Sequence, residues 1–89
     1  MEMLIKKAQK GDEEAFIKAI NEYMTAMYKV ARTRLKSEDD IGDAIQDTIL
    51  AAYKGLNQLI KPQYFRTWIT KILINKCNDI VQRNGQVVY

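Results

Sequence analysis

Two groups of residues in this chain have types and spacings that could do chemistry, and in both the chemistry is binding. Asp40, Asp43 and Asp47 recur at steps of three and four, which gathers them on one side of a helix, with Gln46 and Leu50 close by. Asp43 and Asp47 are four apart, and such a like-charge pair costs a helix about 0.2–0.5 kcal/mol. Asp39 and Asp40 can serve the helix dipole at an N-terminus, but Asp47 lies beyond that effect. The acidic side is therefore either a solvated face or the counterpart of a basic partner.

The second group is basic and aromatic. Lys61, Arg66, Lys71, Lys76 and Arg83 are balanced only by Asp79, and Tyr64, Phe65 and Trp68 lie among them. Thr67, Lys71, Asn75 and Asn78 follow at steps of four, four and three and form one polar strip. Positive charge attracts phosphate, and flat side chains stack on unpaired bases at about 1–3 kcal/mol per base. Asparagine amides offer donors and acceptors to base edges. Phe65 and Trp68 fall on the apolar stripe and read mainly as core. Tyr64 lies off that stripe and is the better candidate to touch a base. The cations could also be a solvated face.

Other chemistry is poorly supported. The 89 residues include no histidine and a single cysteine, Cys77. That removes the commonest general base and metal ligand, any internal disulfide and a structural zinc site. Neither a glycine-rich phosphate loop nor a calcium-hand spacing occurs. The expectation is a non-enzyme without metal or cofactor. The lone thiol and the lack of an opening signal-peptide pattern suggest the cytoplasm. The longest wholly apolar run, Ile49 to Tyr53, is too short for membrane insertion. Net charge is +3, distributed as +3 over residues 1–36, −4 over 37–60 and +4 over 61–89. Such segregation predicts two surfaces of opposite sign.

The elements that must position these groups read as four helices, so the fold class is all-α, a compact bundle. A first short helix, Glu2 to Gln9, carries Met3, Leu4 and Ala8 as its apolar residues and is broken by Gly11. Asp12 caps a second helix, from about Glu13 to Leu35, whose stripe is Phe16, Ile20, Tyr23, Met27, Val30 and Ala31. Ser37 and Asp40 make a capping-box-like start for the third. Its stripe is Ile41, Ala44/Ile45, Thr48/Ile49, Ala52 and Leu56. Pro62 suits the first turn of the fourth, which buries Phe65, Trp68/Ile69, Ile72/Leu73 and Ile80 and stops at Asn84-Gly85. Residues 86–89 read as the start of a linker.

Asp43-Ala44-x-Gln46-Asp47-Thr48-x-Leu50-x-Ala52-Tyr53 resembles the second conserved region of the extracytoplasmic-function class of bacterial sigma factors. Phe65-x-x-Trp68-Ile69-x-x-Ile72-x-x-Asn75-x-x-x-Asp79 resembles the signature with which that family reads the −10 promoter element. Ala8-x-x-Gly11-Asp12-x-x-Ala15-Phe16 is similar to the family's first region. The order and spacing of these motifs cover residues from about 8 to 83.

The resemblance implies a region 2 domain over residues 1–85. Asp40, Asp43, Gln46, Asp47 and Leu50 would contact the clamp helices of the largest RNA polymerase subunit. Asn57, Gln58, Lys61, Gln63, Tyr64, Arg66, Thr67, Lys71, Asn75, Lys76 and Asn78 would contact the non-template strand of −10 DNA. In the family, the loop, here Asn57 to Gln63, captures a base flipped from that strand, which couples recognition to melting. An anti-sigma factor commonly holds such domains inactive and is an implied partner.

The chain also departs from the family. The usual −35-binding domain is absent, which suggests an excised domain or fragment. Gln82-Arg83 leaves one arginine where a pair often stands. Two other functions stay open on the residues alone: a helical protein-interaction bundle, and a reader of double-stranded DNA through the fourth helix.

Overall fold

Two helices begin where a side chain satisfies an early backbone amide. The Asp12 carboxylate accepts from the Ala15 amide at 3.1 Å, and the Ser37 hydroxyl oxygen accepts from the Asp40 amide at 3.2 Å. Each such cap is worth about 1 kcal/mol. The computed structural model describes the backbone of residues 1–87 and the side-chain surroundings of residues 1–85. It contains α1 (Glu2–Gln9), α2 (Glu13–Arg32), α3 (Glu38–Gly55) and α4 (Phe65–Val87). Two 3-10 turns, Leu56–Gln58 and Pro62–Tyr64, join α3 to α4, and no strand occurs among the described residues. The all-α bundle expected from the pattern is the observed fold.

Gly11 separates α1 from α2 for a conformational reason. Its φ is +104°, a left-handed value that side chains other than hydrogen disfavour. The Gly11 amide donates to Ala8 and the Asp12 amide to Lys7, at 3.0 and 3.1 Å. This is the Schellman pattern that satisfies the last carbonyls of α1.

The core joins all four helices. Ile5 comes from α1, Phe16, Ile20 and Met27 from α2, Ile41 and Ile45 from α3, and Phe65, Ile69, Leu73, Cys77 and Ile80 from α4. Thr48 is the buried polar residue among those described, and its hydroxyl donates to the Ala44 carbonyl at 2.7 Å. Trp68 is half-buried against the core, its ring tilted at 43° to Phe65 with centroids 6.1 Å apart. It is a flank of the core, as its place on the stripe implied.

Four sequence expectations need correction. In α1 the buried residue is Ile5, while Met3 is exposed. Eight residues are about two turns, too few for a pattern to choose its own face. Helix α2 ends at Arg32, not Leu35. The Thr33 hydroxyl donates to the Val30 carbonyl at 2.7 Å, and the Leu35 side chain turns back into the core. Pro62 opens a separate 3-10 turn that leads into α4, so most of the expected loop consists of two tight turns. Finally, α4 continues through Asn84-Gly85 to Val87. Gly85 lacks the positive φ of a C-terminal cap, and the Asn84 side-chain amide donates instead to Asp40 at 3.0 Å. Of the expected linker, Val88 and Tyr89 lie outside the described residues.

Candidate functional site

The apolar stripe of α3 turns Ile41, Ala44, Ile45, Thr48 and Ala52 inward, and this turns Asp43, Gln46, Asp47 and Leu50 out. Those four form one exposed face. Asp40 differs, because it is half-buried and its carboxylate accepts the Asn84 amide. The first turn of α3 is thus tied to the last turns of α4. Glu38, exposed at the start of α3, reaches α2 and accepts the Tyr28 hydroxyl. That bond raises the Tyr28 pKa, since the carboxylate favours the protonated phenol.

Beside the acidic face runs an apolar groove of about 640 Å³, between the start of α2 and the middle of α3. Leu50, Tyr53 and Ile17 line it and remain 52%, 48% and 56% exposed. The Tyr53 ring meets Phe16 edge-on at 5.3 Å, and its hydroxyl donates to Glu13 at 3.0 Å. This bond raises the Tyr53 pKa. Sequence reasoning found Leu50 but missed Ile17 and the groove itself. The available signal was an isoleucine beside Phe16 that no helical stripe used.

The second face lies on α4. Thr67, Lys71, Asn75 and Asn78 are all exposed, opposite the buried row of Ile69, Leu73, Cys77 and Ile80. The structure brings these four together as one strip. Lys76 is not part of it, for nine residues from Thr67 is about two and a half turns, and Lys76 is half-buried. Arg66 also points elsewhere. Its guanidinium sits over the Tyr23 ring at 5.8 Å, while the Tyr23 hydroxyl shares a 2.8 Å hydrogen bond with Thr70.

Between the helices, Asn57, Gln58, Lys61, Gln63 and Tyr64 are exposed. The Lys61 ammonium lies 6.0 Å from the centre of the Tyr64 ring. Ile60, at the apex, is 90% exposed, whereas Leu56 and Leu59 are buried at 5% and 7%. The Gln9 side-chain amide donates to the carbonyls of both leucines. Sequence reasoning gave neither Gln9 nor Ile60 a role. No group of three or more histidine, cysteine or acidic residues capable of holding a metal occurs among the described residues.

The fold and its surfaces define a four-helix domain with one acidic and apolar face, and one polar and basic face beside a turn-rich loop. The chain belongs to the sigma-70 region 2 family, whose model matches residues 14–87. It is 33% identical over 79 residues to the RNA polymerase sigma factor NccH of Alcaligenes xylosoxydans xylosoxydans, covering 89% of this chain and 42% of the relative. It is 31% identical over 78 residues to the sigma factor CnrH of Cupriavidus metallidurans, covering 88% and 41%. With the ECF sigma-E factor of Haemophilus influenzae it shares 26% identity over 83 residues, covering 93% and 43%. The chain thus spans about two-fifths of the length of these relatives.

Solved structures agree on the fold. An engineered region 2 of sigmaE, determined by NMR in complex with GTAAAA, superimposes with a TM-score of 0.87 at 24% identity, covering 96% of this chain and 88% of that one. CnrH, in complex with the cytosolic domain of CnrY, superimposes with a TM-score of 0.80 at 32% identity, covering 88% and 51%.

Proposed function

We propose that this domain docks on RNA polymerase through α3 and reads the −10 promoter element through α4 and the loop before it. The observation that carries this is the division of labour between two outward faces. Asp43, Gln46, Asp47 and Leu50 offer charge and an apolar contact to a basic protein surface. Thr67, Lys71, Asn75 and Asn78 offer charge and amides to a strand. Loop residues Ile60 and Tyr64 offer apolar and aromatic surface to an unpaired base. The helices that carry the faces pack against each other, so both partners can be held at once.

The domain does no bond chemistry in this mechanism. It lowers the cost of strand opening by binding the opened strand, since a captured base returns binding energy only after it has left its stack. The complex of an engineered sigmaE region 2 with GTAAAA supports a short nucleic-acid ligand. The complex of CnrH with the cytosolic domain of CnrY supports an anti-sigma partner. No described helix is long and apolar enough to cross a membrane. Action in the cytoplasm, where polymerase and promoter meet, belongs to the same proposal.

The deciding experiment is titration of the domain with an isolated clamp-helix hairpin of the largest polymerase subunit, with Asp47→Lys as control. Binding that the charge reversal reduces at least about tenfold, or about 1.4 kcal/mol, supports the assignment. Absence of binding by a folded domain would move the function to another protein partner or to duplex DNA.

A further inference from the structure

Helix α1 contributes to neither outward face, yet its last residue holds the loop. The Gln9 amide nitrogen carries two hydrogens, and each can serve a main-chain carbonyl, that of Leu56 at 3.0 Å and that of Leu59 at 2.8 Å. Both acceptors are carbonyl oxygens, so only the amide nitrogen of Gln9 can meet them. The partners lie 47 and 50 residues along the chain.

The second of these bonds acts at the apex. The Leu59 carbonyl belongs to the peptide that leads into Ile60, and that peptide is a rigid plane. Fixing its oxygen fixes the direction in which the chain enters Ile60. On one side of the plane Leu59 is buried at 7%, and on the other Ile60 stands out at 90% exposure.

Local sequence does not impose this geometry. Leu59 has φ −75° and ψ 106°, an extended conformation open to any residue, and no glycine or proline occurs between Asn57 and Lys61. The 3-10 turn before the apex ends with the Leu59 amide donating to the Leu56 carbonyl at 3.2 Å. The turn after it closes from Tyr64 to Lys61 at 2.9 Å. Among the described residues, it is Gln9 that joins this segment to the rest of the fold by side-chain hydrogen bonds.

An isoleucine so exposed gains nothing from folding, but a nucleobase laid against it would bury it. Lys61, over the Tyr64 ring, places a cation and an aromatic face immediately beyond. We infer that Gln9 is the positioning residue of the base-reading loop. It holds Ile60 and the Lys61–Tyr64 pair in one arrangement before DNA arrives, so an unpaired base meets a preformed wall. A loop ordered in advance loses less freedom on binding and discriminates better among bases. This rests on the assignment of the loop to base capture.

The test compares the full chain with Gln9→Met and Gln9→Ala, two neutral changes that remove both donors. Each protein is incubated with single-stranded DNA randomised at six positions, and the bound strands are sequenced. Each is also titrated with oligo(dT) across a range of salt, and its helical content and melting temperature are measured. The wild-type chain should enrich particular bases. Both variants should remain folded and keep the oligo(dT) affinity and its salt slope, while enrichment falls about tenfold. Enrichment unchanged in the variants, or lost in step with oligo(dT) affinity, overturns the positioning role. A wild-type chain that binds oligo(dT) and enriches nothing overturns base capture itself, and the role of Gln9 with it.

Discussion

Asp40, Asp43 and Asp47 share a side of α3, but their surroundings divide them. Asp40 already accepts the Asn84 amide, whereas Asp43 and Asp47 are fully outward. A carboxylate with an internal partner has less to offer an external cation. Asp40→Ala should therefore weaken hairpin binding less than about twofold, and Asp47→Ala by about fivefold or more, as read by titration calorimetry. Cys77 makes a different prediction. Burial pushes its thiol pKa up, with Arg34 opposing in part. The folded chain then holds that proton more tightly than the unfolded chain, whose thiol titrates at about 8.5. The stability this contributes is complete below that value and is lost as pH rises through it and beyond. The urea midpoint should fall between pH 7 and 9.5, and Cys77→Ala should flatten that decline while lowering the midpoint at pH 7.

At the scale of elements, two glycines with opposite roles give a paired prediction. Gly42 lies in the exposed part of α3 without a positive φ, and a Cβ there would meet nothing within 4 Å. Gly42→Ala should raise stability by about 0.5–1 kcal/mol, because alanine loses less freedom than glycine on entering a helix. Gly11→Ala should lower it by about 1 kcal/mol or more, since φ of +104° strains any side chain. Urea unfolding of both variants checks the signs. Helices α2 and α3 were legible because long stripes and a side-chain cap agree locally. The end of α4 was not, because Asn84-Gly85 reads as a stop until Asp40, 44 residues away, takes the asparagine amide. The face of α1 was illegible for want of length. On the surface, spacing alone gathered Thr67, Lys71, Asn75 and Asn78 correctly. Lys76, named as a DNA contact beside them, lies half-buried and off that strip, and spacing could not find Gln9, whose partners appear only when the chain folds.

For the whole molecule, the two faces both look away from a shared core. The buried rows of α3 and α4 face each other across the core, so the acidic residues and the polar-basic strip look outward in different directions. If both are used together, binding the polymerase hairpin should leave the strand-binding strip open. Fluorescence anisotropy of single-stranded DNA should show affinity for the hairpin-bound domain at least equal to that for the free domain. A loss of about tenfold or more on adding hairpin would mean that the two partners share a surface.

The same arrangement gives the domain a permanent electric asymmetry across the bundle, between the acidic face of α3 and the Lys71-bearing strip of α4. Molecules of this kind attract one another head to tail, and such contacts do not close on themselves. At about 0.15 M salt the screening length is near 8 Å and the attraction is muted, but at 0.01 M it reaches about 30 Å, comparable to the particle. Light scattering should then record an apparent mass above 10.3 kDa that grows with concentration and collapses on adding salt. The charge pattern that sets the two faces apart would thus also set the ionic strength below which the purified domain ceases to behave as independent particles.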